Sequence, residues 1–245
     1  MAYPNFKNKH VEEALFSPVD FVKYRKWKGN FPKKYIITYQ AKAKNYFVRK
    51  YNPKKINLYS LLNIYIYKKV GFVRVTGIGS PLAATILEEL IAIGGTEFLN
   101  IGTAGGLQHE GVFLCEKAIR DEGTSYHYIS HGSLAYPDEE LTKKFGKALE
   151  KNGLAFERGT TWTIDAPYRE TKAEIKHYTK KSVVTVEMEA SALFTVAKYR
   201  KVKIAAAFVV SDLLDKKWLP NFHRFDVKKT QNKLIDSAVE CLLEK

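Results

Sequence analysis

Short apolar runs rich in β-branched residues alternate along this chain with stretches whose apolar positions recur every three or four residues. The first pattern predicts buried strands and the second amphipathic helices. Ser17-Pro-Val-Asp20 offers an N-cap, a proline at the first helical position and an acid at the third. A short helix to about Trp27 follows from that, ended by Gly29. Tyr35 to Tyr39 predicts the first buried strand, and Lys42 to Tyr51 a helix that Pro53 stops. Residues 58–67 and 71–77 predict two strands meeting near Lys68-Lys69-Val70-Gly71.

From Phe72 onward strands and helices take turns. Phe72 to Thr76 feeds Gly77-Ile-Gly-Ser-Pro81, and a helix from about Leu82 to Ile93 is capped by Gly94-Gly95. Strands are predicted at Phe98 to Ile101, near 113–119, around 155–163, at Val183–Val186 and at Ile204–Val210. Helices are predicted near 138–151, 170–178 and 189–200, with a last one over Asp226–Leu243. This alternation indicates an α/β fold. With no internal repeat and no dividing linker, residues 1–245 are expected to form a single domain.

Composition narrows the class. Hydrophobic residues make up 45% of the chain, enough for a substantial core, and no low-complexity tract points to disorder. Apolar runs fall short of the roughly 18–20 residues that cross a bilayer, so no membrane association is expected. Met1-Ala-Tyr-Pro-Asn-Phe-Lys7 lacks the apolar centre of a signal peptide. Cys115 and Cys241 lie far apart without metal-ligand spacing, and the six histidines form no ligand cluster. Two such thiols suit a cytoplasmic location as inert core residues. The net charge of +14 sits in the first third: residues 1–80 hold 17 Lys and Arg against three acids. That excess suits a solvated or subunit-facing surface, or phosphate attraction toward an active site, more than nucleic acid.

The candidate chemistry lies at strand ends, where open α/β sheets bind their ligands. Two glycine-rich turns are expected after strands, Gly77 to Ala83 and Gly102-Thr-Ala-Gly-Gly106. Their backbone amides and the Thr103 hydroxyl can hold an anion, or the glycines can simply make tight turns. Glu187-Met-Glu189 sits where a β-branched run gives way to a helical pattern. Residues two apart do not share a helix face, so these acids point differently. One can accept both hydrogen bonds from a sugar diol, or both can serve the helix dipole. Asp212, leaving the dry run Phe208-Val-Val-Ser211, can hold a proton and pass it to a leaving group, or it can cap a turn. Asp165, before a proline turn, is read as structural.

Gly-Ile-Gly-Ser-Pro, Asn-Ile-Gly-Thr-Ala-Gly-Gly-Leu, Val-Glu-Met-Glu-Ala-Ser-Ala-Leu and Val-Val-Ser-Asp follow one another in this order. Together they resemble the nucleoside phosphorylase superfamily of purine and uridine phosphorylases and adenosylhomocysteine nucleosidases. The resemblance runs from about residue 72 to 214, leaving a divergent basic region over about 1–70. It implies a three-layer α/β sandwich with a mixed, barrel-like central sheet flanked by helices, assembled as a dimer, trimer or hexamer. It also implies cleavage of the bond between ribose and base, with inorganic phosphate as co-substrate and no cofactor or metal. Carried over, Glu189 would grip the ribose diol, Met188 would pack on the sugar, and Glu187 would join the adjoining wall. Gly102 and Thr103 would line the attacking anion, Asp212 beside Ser211 would protonate the base, and Pro167 and Tyr168 would wall it.

The acceptor side departs from the family. Phosphorylases carry an arginine where this chain has Asn100, and a Gly-Asp-Pro-x-Arg loop where it has Gln40-Ala-Lys-Ala-Lys44. Lysine does not reproduce the bidentate guanidinium fork. Asn100 matches the nucleosidases, yet no acid stands between Asp20 and Glu88 to activate water. The expectation is a phosphorylase of a purine or pyrimidine nucleoside whose anion site is rebuilt from Thr103, Gly79, Lys42, Lys44 or Arg49. A hydrolytic nucleosidase and a non-catalytic nucleoside-binding or storage protein are the alternatives.

Overall fold

The computed structural model describes residues 6, 8–214, 217–222 and 224–244; the stretch Met1 to Asn5 and Lys7 lie outside them. Its strands are β1 (Lys34–Thr38), β2 (Lys54–Tyr59), β3 (Leu62–Tyr67), β4 (Val70–Arg74), β5 (Glu97–Gly106), β6 (Val112–Asp121), β7 (Leu134–Ala135), β8 (Glu157–Ile164), β9 (Val183–Glu187), β10 (Lys203–Leu214) and β11 (Trp218–Pro220). Its helices are α1 (Pro18–Tyr24), α2 (Ala41–Tyr51), α3 (Ser80–Ala92), α4 (Glu139–Lys151), α5 (Lys172–Lys180), α6 (Ala190–Arg200) and α7 (Phe225–Leu243).

All strands join one mixed sheet in the order β11-β10-β6-β8-β9-β5-β1-β4-β3-β2, with β7 on β6. A further pairing of β10 with β5 closes β10, β6, β8, β9 and β5 into a ring, the barrel-like centre that the motifs imply. Layering follows from strand alternation. Tyr35 and Ile37 of β1 point into the cluster under α3 and α6. Ile36 between them joins the opposite cluster under α2, α4 and α7, where Phe47 stacks on Phe72 at 4.2 Å. Both faces are therefore covered, which is why β10 reads as an unbroken apolar run. β1 lies between β5 and β4, so the basic first third builds part of the central sheet.

Three expectations need correction. Gly102 to Gly106 is not a turn but the end of β5, bonded to β10 and β9. A Cβ on Gly105 would lie 2.3 Å from Leu214 Cδ1 and 3.0 Å from Val186 Cγ1, so its glycine serves close strand packing. The strand predicted over 58–67 is divided by a turn at Ser60-Leu61 into the end of an exposed edge strand, β2, and β3, while the turn near Lys68 joins β3 to β4 as expected. β11, an exposed strand paired with the end of β10, was not anticipated.

Candidate active site

β5 and β9 run antiparallel and meet only near their carboxyl ends, Gly105 opposite Val186 and Gly106 opposite Thr185. On the other flank of β5, β10 sets Asp212 opposite Gly105 after a bulge between Val210 and Asp212. With strands about 4.8 Å apart, the Glu187 and Asp212 backbones flank β5 at roughly 10 Å from each other. Three strand ends thus gather acids around one glycine segment.

Glu187 is buried, and its oxygens are taken. Oε1 accepts from Thr163 Oγ1 at 2.5 Å, and Oε2 from the Glu189 and Ala190 amides at 2.8 and 2.7 Å. It caps the first turn of α6, as an acid at a helix N-terminus should. Glu189, also buried, reaches instead to the glycine loop before α3, where Oε1 accepts from the Gly79 amide at 2.6 Å. Gly79 has φ 104°, a left-handed conformation that favours glycine, and the loop is fixed further by Ser80 Oγ donating to the Met188 carbonyl at 2.7 Å. The Gly79 amide is therefore engaged by a carboxylate and not open to phosphate, while the Met188 side chain is half-buried beside it. Burial pushes both carboxyls above their ordinary range, and at Glu189 the charge of Glu187 adds to it.

Neutral side chains cover the glycine segment. Gln40 Nε2 donates to Thr103 Oγ1 at 2.9 Å, and Gln40 Oε1 accepts from Thr38 and Gln231. Tyr39 donates its hydroxyl to Asn100 Oδ1 at 2.9 Å, and its ring lies 3.4 Å from where Gly102 would carry a Cβ. Burial, then the charges of Glu189 and Glu187, hold the Tyr39 hydroxyl protonated far above its usual range. Asn100 is fully buried, and among the described residues its Nδ2 has no partner. Lys42 and Arg49 stand exposed on α2 and Lys44 is half-buried, so Tyr39 and Gln40 take the places expected for basic side chains.

At the far end, Asp212 is buried with both oxygens accepting: Oδ1 from Ser211 Oγ and Oδ2 from Trp218 Nε1, each at 2.8 Å. The bulge supplies Ser211, whose hydroxyl also reaches the Ala104 carbonyl at 3.4 Å. Pro167 is half-buried in the 3-10 turn Pro167–Arg169, but the Tyr168 side chain is fully exposed, so within this chain it walls nothing. Asp165 accepts from the Gly123 amide at 2.8 Å, a structural tie. A cavity of about 920 Å³ opens beside the site rather than in it, under the segment 9–21, touching Pro81 and Asp165 but neither Glu189 nor Asp212.

Sequence reasoning missed Tyr39, Gln40, Thr163 and Trp218. Only the first two carried a signal, as uncharged residues where the family has its glycine and arginine. Among the described residues no group of three or more His, Cys, Asp or Glu is placed to hold a metal ion.

The chain is 32% identical over 139 residues to a guanosine phosphorylase of Halorubrum lacusprofundi, covering 55% of this chain and 58% of that protein. A uridine phosphorylase of Thermococcus kodakarensis is 31% identical over 139 residues, half of each chain. These curated relatives are thus matched over only half to three-fifths of their length. The crystal structure of AMP nucleosidase from Bacteroides thetaiotaomicron superposes with a TM-score of 0.76 at 22% identity, over 94% of this chain and all of that one, a likeness of fold. The profile of the Phosphorylase superfamily matches residues 40–244, and the chain belongs to that family.

Proposed function

We propose that this chain cleaves the N-glycosidic bond of a purine or pyrimidine nucleoside and passes the pentosyl group to inorganic phosphate. The products are the free base and a pentose 1-phosphate. One observation carries the reading: the carboxyl ends of β5, β9 and β10 meet, so that Asp212 and the end of β9, two residues before Glu189, flank the glycine segment. Bond cleavage builds positive charge on the sugar and negative charge on the base. A carboxylate at the ribose and acid chemistry at the base oppose both developments.

The side chains hydrogen-bonded over the glycine segment are uncharged, while Arg74 Nε donates to the Tyr39 carbonyl at 3.1 Å beside them. A phosphate there takes hydrogen bonds from the Tyr39 and Thr103 hydroxyls and the Gln40 amide, once these turn from one another. The unpartnered Asn100 Nδ2 supports an acceptor in this place, since buried donors are seldom left unpaired. Hydrolysis is the second reading, favoured by the Tyr39–Asn100 and Gln40–Thr103 bonds that close the site in its present form. Inosine, guanosine, adenosine and uridine, each incubated with and without phosphate, separate the two by product. Pentose 1-phosphate formed only with phosphate supports phosphorolysis; free pentose formed without it establishes hydrolysis. Melting shifts with nucleoside but no turnover would leave a binding protein.

A further inference from the structure

Arg74 closes β4, in register with Thr38 at the end of β1, the strand that lies between β4 and β5. Val73 and Val75 on either side of it join the cluster under α3 and α6, while Phe72 joins the one under α2, α4 and α7. Alternation therefore sends the Arg74 side chain to the α2 and α7 side, with Thr38. On that side Gln40 Oε1 accepts from Thr38 Oγ1 and from Gln231 of α7, and Gln40 Nε2 reaches Thr103. Arg74 Nε donates to the Tyr39 carbonyl at 3.1 Å, one residue before Gln40. The guanidinium thus lies against the stretch that covers the glycine segment.

A guanidinium carries five N–H groups, and this one uses a single group on the protein. Among the described residues no acid pairs with Arg74 and no acceptor meets its two terminal nitrogens, although the residue is half-buried. Drawing a cation partly out of water without a counter-ion is costly, and an anion brought to it offsets that cost. The planar fork matches two oxygens of a phosphate, a charge-assisted contact that Thr103, Gln40 and Asn100 cannot make. We propose that Arg74 is the phosphate-binding cation of the acceptor site, supplied from β4 in place of the arginines missing at position 100 and in the first loop. This rests on the phosphorolytic reading and names the residue that holds its acceptor. The terminal nitrogens take two phosphate oxygens, while Nε keeps the Tyr39 carbonyl in place.

Initial rates over a range of phosphate, with a nucleoside the wild type turns over, test this beside calorimetric titration of inorganic phosphate alone. Arg74→Gln should raise the phosphate KM roughly 10–100-fold, as for one lost charge-assisted contact, and weaken phosphate binding in calorimetry by a similar factor. Its nucleoside KM should stay within about twofold of wild type. Arg74→Lys, which keeps the charge and loses the fork, should fall between the two. A role confined to holding the Tyr39 carbonyl would not separate the two KM values. Circular dichroism reports whether each variant is folded, and where Arg74→Gln is not, Arg74→Lys carries the comparison. An unchanged phosphate KM in a folded variant, or a rise in Lys44→Gln without one in Arg74→Gln, would overturn the assignment while leaving phosphorolysis intact. Phosphate binding that Arg74→Gln weakens, in a protein that turns over no nucleoside, would keep the anion site and remove the reaction. Base release indifferent to phosphate, from a wild type that binds none, would take down both.

Discussion

Glu187 and Glu189 share one short segment but hold different posts. Glu187 has no oxygen left for a substrate, because Thr163 and two amides of the α6 N-terminus use both. Its effect on chemistry is to fix the loop from which Glu189 extends. Thr163 also accepts from the Ser191 amide at 3.0 Å, so Thr163→Val leaves a buried amide and a carboxylate oxygen short of partners. A loss of about 1–3 kcal/mol is expected, read as a lower urea midpoint. Glu189→Gln should cost roughly 10–100-fold in kcat/KM, as expected for one lost hydrogen bond to the sugar diol. The same substitution has a pH signature. Both carboxyls are raised in the folded state, so their contribution is complete below the ordinary carboxyl range and fades as pH climbs past it. Glu189→Gln should therefore gain urea midpoint over wild type at pH 8 and lose that gain at pH 5. Equal differences at the two pH values would show that Glu189 does not keep its proton on folding.

Strand ends, more than loops, build the site, and glycine is what lets them approach. At Gly105 a Cβ would collide with Leu214 and Val186 and would lie 3.7 Å from Asp212 Oδ2. Gly105→Ala should cost about 1–3 kcal/mol through overpacking and lower kcat by displacing the β10 bulge. Thermal denaturation with steady-state kinetics would show both. An unaltered kcat would mean that Asp212 is held independently of β5. The same segment shows where sequence stops being legible. β10 was readable because Ile204 to Val210 is apolar on both faces, and α1 because Ser17 and Asp20 form a capping box. Gly102 to Gly106 read as a turn because local preference penalises glycine in strands, whereas distant residues set its packing here. Asp212 and Glu189 could be picked out by local motif. Trp218 could not, since its bond to Asp212 depends on β11 turning back along the end of β10.

For the molecule as a whole, the unanswered surface is the segment before β1. α1 is tied down on one side only, with Phe21 edge-on to Trp27 at 5.6 Å and Trp27 stacked on Tyr59. Its other side and the chain ahead of it leave Val11 71%, Leu15 100% and Phe16 72% exposed. Solvated monomers seldom leave such residues clustered on one segment, and the large cavity lies directly beneath. An apolar face of this kind suits another subunit better than nucleic acid. A second copy of the chain is the expected occupant. Sedimentation equilibrium at micromolar concentration should give a mass of at least two chains. Leu15→Glu combined with Phe16→Glu should return it to one chain with the fold preserved by circular dichroism. A wild type that sediments as one chain would leave this apolar segment to some other partner.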